Sequence, residues 1–257
     1  MTILDTIVEN KRVEVQKRKQ KYVLGDVQDF PHYGRKTNII HPAAGPGIIA
    51  EFKRKSPSQG DIHPTANPAQ TATGYKKAGV AAMSVLTDRI FFGGSFKHLQ
   101  AVREAEPELC VLRKDFMIDS YQLHEAKAYG ADIILLIAAI LDPVQIRDMA
   151  QEAAALKLLV LLDVHSRQEL ESWDPAIKLV GVNNRNLKDF TVDTNRSLEL
   201  LPHFPEGVIP VSESGLSEPS QVKKLHERGF NLFLMGENFM KQEHPGLACQ
   251  EFIRALK

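Results

Sequence analysis

Glu51 and Lys53 flank Phe52 at the end of an apolar run that begins at Ile48, and on a strand this alternation points both charged groups to one side. Charges so placed are costly to bury unless they pair or serve a substrate. Read alone, residues 48–60 equally suit a surface strand end followed by a solvated basic loop. Other apolar runs end in the same way. Thr87-Asp88 leads into Phe91-Phe92-Gly93-Gly94-Ser95. Further along stand Arg113-Lys114-Asp115-Phe116, Asp163-Val164-His165, Asn183-Asn184-Arg185-Asn186, Ser212-Glu213-Ser214-Gly215 and Met235-Gly236-Glu237-Asn238. If one fold brings these ends to one rim, surface decoration is a poor explanation. Ser214-Gly215 and Gly236-Glu237 supply small residues whose backbone N–H groups could face a phosphate. Tight turns would use the same glycines.

The elements that must position these residues follow from the apolar pattern. Strand-like runs occupy 48–52, 82–86, 109–112, 132–138, 158–162, 178–182, 208–211 and 232–235, with helical patterns between them. Asp142-Pro143 offers a cap followed by proline at the first helical position. Ser166-x-x-Glu169 reads as a capping box. Asp119 precedes a helix that Gly130 closes, and Ser217 precedes one that Gly229 closes. Eight strand–helix pairs at this spacing predict a closed (β/α)8 TIM barrel, an α/β fold. A doubly wound open sheet would call for Gly-x-Gly-x-x-Gly, which the sequence lacks. In a barrel the charged strand ends share the catalytic face, and a phosphate site falls after the seventh and eighth strands.

Residues 3–18 place Ile3, Leu4, Ile7, Val8 and Val15 among charges, the pattern of an amphipathic helix with a narrow apolar stripe. Residues 25–47 hold Pro31, Pro42, Pro46, Gly45 and Gly47 and read as a connector with at most a short helix. The expected organisation is a helical extension, 1–47, packed on a barrel of residues 48–257 as a single domain. Lys+Arg and Asp+Glu balance at 32 each, so no net field attracts nucleic acid or an anionic membrane. The two cysteines are too few for a disulfide framework, and charges in the first twenty residues rule out a signal-peptide core. No apolar run reaches membrane-spanning length. A cytoplasmic protein is expected, a monomer or weak homo-oligomer. The nine histidines show no HExxH spacing and no metal site is expected; His165 reads as outward-facing or structural.

The stretches 51–58, 112–116, 181–187 and 212–215 resemble indole-3-glycerol phosphate synthase, and the resemblance runs from the N-terminal helix to the last strand. It implies closure of the indole pyrrole ring in tryptophan biosynthesis. The substrate would be 1-(2-carboxyphenylamino)-1-deoxyribulose 5-phosphate, which loses CO2 and water without a cofactor. By resemblance Lys114 is the general acid at the ketone, and a lysine among charges at a barrel mouth can be tuned toward neutrality, which would make it a workable acid. Lys53 would contact the phosphate or carboxylate and help the dehydration. Glu51 and Glu213 would orient the lysines and bind sugar hydroxyls, with Asn183 assisting. Phe92, Phe116 and Leu135 match the aromatic pocket, Arg185 the carboxylate contact, and Ser56 a loop that folds over the site. Ser214, Gly215, Gly236 and Glu237 fall at the phosphate. The N-terminal segment would cap the same mouth.

One position departs from the pattern. Family members usually carry Glu at the end of the fifth strand, as base in the closing elimination, and here Asp163 stands there, one methylene shorter. Its role is carried over with that difference. Two other readings share the phosphate loops: a sugar-phosphate isomerase barrel, and a barrel that binds a phosphometabolite without turning it over. The first lacks the Lys53/Lys114 pair with Glu51; the second would bind the substrate but not convert it.

Overall fold

The computed structural model describes residues 2–40, 45–186 and 191–257; Pro42 and Leu187 lie outside the described residues. Eight parallel strands close into a barrel: β1 (Gly47–Phe52), β2 (Ala82–Leu86), β3 (Val111–Lys114), β4 (Ile133–Ile137), β5 (Leu159–Val164), β6 (Leu179–Asn183), β7 (Ile209–Glu213) and β8 (Leu232–Met235). Each strand pairs with its sequence neighbours, and β1 closes the ring by pairing with both β2 and β8. Four strands run one or two residues past the ends expected from hydrophobicity. The register pairs Leu86 with Lys114, Ile137 with Asp163, and Asn183 with Glu213. Ladder hydrogen bonds use the backbone alone, so a polar side chain does not end a strand. The chemistry-bearing residues therefore sit on rigid strand backbone.

Alternation gives each strand an inner and an outer face. Ile49, Leu112, Leu135, Leu161, Leu179, Val211 and Leu234 form the inner cluster. Ile48, Ala50, Phe52, Leu136, Leu162, Val180 and Phe233 pack outward against the helices. Continuing the inner series by two residues brings Glu51, Lys114, Asp163 and Glu213 to the C-terminal mouth; on β6 the second residue is Gly181, and the fourth, Asn183, joins them there.

The helix signals hold with two changes. Asp142 caps the helix Pro143–Ala155 through a capping box with Gln145, and Gly130 and Gly229 follow their helices at positive φ. Ser166 accepts from the Glu169 N–H at 3.2 Å, but the Glu169 carboxylate accepts from the N–H of His165, not of Ser166. Ser217 does not cap. Glu218 holds that position before Pro219–Glu227, and the Gln221 side chain accepts from the N–H groups of both Ser217 and Glu218.

The N-terminal helix α1 (Ile3–Lys21) lies across the mouth, and Leu24–Gln28 forms the short helix expected in the connector. Its stripe is narrow because a lysine interrupts it: Ile7, Lys11 and Val15 are its buried residues. The Lys11 ammonium lies 2.8 Å from each of Glu14, Asp88 and Asp115. Burial would lower its pKa, but Asp115 and Asp88 outweigh that and the pKa is raised. Two turns on, Arg18 pairs with Glu125 at 2.6 Å, and the fully buried Arg113 bonds Asp115 at 3.0 Å. Charge, more than apolar area, fastens α1 to the barrel. Lys11→Met would leave Asp88 and Asp115 buried without their shared cation. A loss of about 3 kcal/mol is expected in urea unfolding, and an unchanged midpoint would show that the two carboxylates are satisfied without Lys11.

Candidate active site

The mouth holds a cleft of about 340 Å3 lined by the strand ends and by α1. On its floor, Glu51 sits between two lysines: its Oε1 is 2.8 Å from Lys53 Nζ and its Oε2 is 3.5 Å from Lys114 Nζ. Lys114 lies closer still to Glu213, at 3.0 Å. Burial alone would raise the Glu51 carboxyl, but the two lysines more than reverse it and hold the pKa at about 2. Burial pulls Lys114 downward, yet Glu213, Glu51 and Asp163 together carry its pKa above the ordinary lysine value. The tuning toward neutrality is thus absent. Three carboxylates around one ammonium favour its charged form.

Two glycines make this packing possible, and neither was read that way from the sequence. A Cβ on Gly181 would stand 2.4 Å from Glu213 Oε1, and one on Gly236 would stand 2.7 Å from the Glu51 Cβ. Gly236 was placed at the phosphate; the structure also gives it the task of making room for Glu51.

Asp163 differs from its neighbours. It is buried, and its Oδ2 accepts from Asn183 Nδ2 at 3.1 Å while Oδ1 finds no hydrogen-bond partner among the described residues. Among the described carboxylates of the cleft, Glu51, Asp115, Glu213 and Glu237 each have a lysine or arginine within 4.0 Å, and Asp163 has none. Burial first, and then the Glu213 charge, push its pKa up to about 7; His165 and Lys114 only partly oppose this. His165 faces inward, with Nδ1 3.8 Å from Asp163 Oδ1. The outward-facing reading of this histidine does not hold.

The remaining predicted residues line the same cleft. Phe92 and Phe116 meet with ring centroids 5.9 Å apart, and with Leu135 they build an apolar wall that Ile3, Leu4 and Ile7 of α1 complete. Ser214 and Gly215 follow β7 with φ of 67° and 75°, so consecutive backbone groups curve around the end of the cleft. Gly236 and Glu237 border it from β8, and Arg185 approaches Glu237 at 4.0 Å. Ser56 belongs to a small antiparallel pair, Lys55–Ser56 with Gly60–Asp61, that stands over the opening. Sequence reading missed Lys11 as the pin of this wall. Its signal was a lysine four residues after Ile7 and four before Val15, in the middle of an otherwise apolar stripe.

The sequence profile of the family described as "Indole-3-glycerol phosphate synthase" matches residues 4–252. An enzyme of that name from Bacteroides thetaiotaomicron is 42% identical over 99% of this chain and 99% of its own length. One from Polaromonas is 44% identical over 97% of each.

The chain belongs to the indole-3-glycerol phosphate synthase family.

Its function is indole-3-glycerol phosphate synthesis, a carboxy-lyase reaction of tryptophan biosynthesis, and the isomerase and non-catalytic readings are not favoured. Among solved structures, 3-hexulose-6-phosphate synthase from Salmonella typhimurium superposes with a TM-score of 0.63 at 13% identity, covering 82% of this chain and 98% of that one. At that identity the likeness speaks for the barrel fold alone. No helix among the described residues is long and apolar enough to cross a membrane.

For this synthase the electrostatics carry a stability consequence. An acid whose folded pKa lies above its unfolded value opposes folding at pH above the unfolded value, and the cost is fully developed once pH exceeds the folded value, here about 7. Asp163→Asn keeps an oxygen for the Asn183 bond and removes the charge. The variant is expected to melt several degrees higher at pH 8 and to lose that advantage near pH 4. A lower Tm at pH 8 would show that the Asp163 carboxylate is better satisfied than its surroundings indicate.

Proposed function

We propose that Lys114 is the general acid and Asp163 the general base of the synthase reaction, with Lys53, Glu51, Glu213 and Asn183 organising the two. The observation that carries this reading is the contrast between the carboxylates. Glu51 is pinned by two lysines with its pKa near 2, which makes it a poor base, whereas Asp163 has no lysine or arginine partner among the described residues and sits near 7. A base with a pKa close to the working pH is the most effective one.

The aromatic ring of the substrate would lie against Phe92, Phe116 and Leu135, beneath the apolar residues of α1. Its phosphate would sit at Ser214, Gly215, Gly236 and Glu237, its carboxylate beside Arg185, and Ser56 would close the opening. In the first step the ring carbon that bears the carboxylate attacks the ketone, and the ketone oxygen takes a proton from the Lys114 ammonium. A raised pKa keeps that proton in place until the alkoxide develops, and the charge stabilises the developing oxyanion. CO2 then leaves, restoring the aromatic ring. In the closing elimination the hydroxyl departs as water, with Lys53 as proton source, while Asp163 removes the C–H proton whose loss completes the pyrrole. Glu51 holds both ammonium groups in register, and Asn183 fixes the carboxylate plane of Asp163. Residues 1–47 are read as part of the same working unit as the barrel, since the cleft wall includes α1.

Lys114→Gln retains a donor for Glu213 but no acid. Turnover, followed by indole fluorescence, is expected to fall to near background in a folded protein, and a kcat near that of the parent would remove Lys114 as the acid. For Asp163, kcat should rise with pH through about 7, because only the ionised base works. Asp163→Asn should abolish that limb and lower kcat by on the order of a hundredfold or more with little change in KM, while Asp163→Glu retains activity. Full activity in Asp163→Asn would transfer the base role to another carboxylate.

A further inference from the structure

His165 has no part in the mechanism above, yet it sits half-buried directly behind Asp163, with both ring nitrogens shielded and neither in a hydrogen bond among the described residues. Its Nδ1 faces two carboxylates: Asp163 Oδ1 at 3.8 Å on the cleft side, and Glu169 Oε2 at 3.5 Å on the other. The Glu169 side chain is 25% exposed, against 3% for Asp163. The chain therefore carries a line of titratable groups from the floor of the cleft to solvent that bypasses the mouth. Local sequence explains its geometry. Asp163 and His165 are two apart at the end of β5 and lean to the same side. Glu169 is the third residue of the helical turn Arg167–Leu170 and is held in place by accepting the His165 N–H at 2.7 Å.

We infer that His165 and Glu169 form a proton relay that resets Asp163 between turnovers, exchanging its proton with bulk water by a route behind the β5 strand end. The inference rests on Asp163 being the base. The proton count supplies the need. Two protons leave acids during the reaction, one to the ketone oxygen and one to the departing hydroxyl, and one arrives on the base from carbon. Because the substrate carboxylate leaves as neutral CO2, each turnover takes up one net proton from solvent. The lysines can be recharged through the mouth. Asp163 is 2% exposed at the foot of the cleft and would lie beneath the bound product. In the relay, the proton on Asp163 passes to the lone pair of neutral His165 Nδ1, leaving the carboxylate. The imidazolium then gives it to ionised Glu169, which releases it to water.

The charged groups that face these sites favour the first transfer, from Asp163 to His165; against burial, His165 and Arg196 also hold the Glu169 carboxyl below its ordinary value, so Glu169 passes the proton to water and does not retain it. Asp163 faces Glu213 from β7, Lys114 from β3 and His165. His165 faces Asp163, Glu169 and, from the helix Asn195–Leu200, Arg196. Burial lowers the imidazole pKa, but the nearby Glu169 and Asp163 carboxylates reverse this, so the ring takes a proton readily.

The test is kcat at saturating substrate in His165→Gln, which keeps size but not basicity, with His165→Ala for rescue. Expected are a fall in kcat on the order of tenfold with KM unchanged, and a larger solvent isotope effect. Added imidazole should restore kcat in His165→Ala, and His165→Gln should have no further effect in an Asp163→Asn background. A merely structural histidine would change Tm but leave the isotope effect and the pH profile in place. Parent-like kcat and pH profile in His165→Gln would overturn the relay. If Asp163→Asn is inactive in that case, the base reading stands and the relay alone fails; if Asp163→Asn is fully active, the base reading fails first. Should both His165 variants fail to fold, Glu169→Gln decides: a reduced kcat with an enlarged isotope effect supports the relay, and an unchanged one overturns it.

Discussion

The pairing of Glu51 with both Lys53 and Lys114 is the interaction on which the site depends. A barrel mouth built from strand ends forces inward-pointing side chains close together, and two ammonium groups brought that near would repel. Glu51, at 2.8 and 3.5 Å from the two nitrogens, neutralises them jointly, and Glu213 takes the remaining side of Lys114. The arrangement leaves the lysines charged, which suits proton donation and anion binding alike. It also consumes the basicity of Glu51. Among the described residues, the carboxylates of the site are thereby divided into those beside a lysine or arginine and one, Asp163, that is not. The glycines at 181 and 236 belong to the same constraint, because a methyl group at either would displace a carboxylate of the network.

A second charge network performs a different task. Lys11, Asp88, Asp115, Arg113, Glu125 and Arg18 run beneath α1 and tie it to the loops after β2 and β3. Asp115 follows Lys114 directly and precedes Phe116, so the helix that closes the apolar wall is fastened to the backbone that carries Lys114. Its carboxyl is pulled well below the ordinary range, by Lys11 and Arg113 acting against burial. Buried ion networks of this kind add modestly to stability compared with an apolar core, but breaking one partner is costly. Their value here is in fixing where α1 sits. An apolar stripe alone, limited to residues such as Ile7 and Val15, would allow the helix to slide along the mouth.

Most of the fold was legible because (β/α)8 architecture writes itself as repeated apolar runs with caps between them. Eight runs located eight strands, and the cap at Asp142 and the stops at Gly130 and Gly229 fell where expected. Strand ends were placed short because hydrophobicity marks where a strand is buried in apolar surroundings, not where its ladder stops; Lys114, Asn183 and Glu213 lie beyond the first and within the second. The residues gathered at the cleft were legible for the same reason, as polar residues at the ends of apolar runs. Interactions between distant segments were not. Nothing local to Lys11 names Asp88 or Asp115 as its partners, and nothing local to Gly181 names Glu213. The protonation tendency of Lys114 was misjudged because it depends on how many carboxylates surround the ammonium, which only the assembled barrel defines.

The same geometry explains why an aspartate can stand at the end of β5. Shortening the side chain by one methylene draws the carboxylate back toward the strand, away from solvent and from the lysines. Both displacements disfavour its charge, and the Glu213 charge adds to them, which is why its pKa rises toward 7 while Glu51 falls to about 2. Reach is lost, but basicity is gained. Asn183, two residues into the next strand's register from Gly181, holds one oxygen of the recessed group at 3.1 Å, leaving the other without a bond. Gly181 is itself the register partner of Asp163, so no side chain from β6 fills the space beside the shortened carboxylate. A recessed base of this kind depends on the substrate being pressed toward it, and the fastened α1 above the apolar wall is the element placed to do that. Under the proposed mechanism the two charge networks answer to one requirement: the upper one would seat the ring of the substrate, and the lower one would keep the Asp163 carboxylate available to act on it.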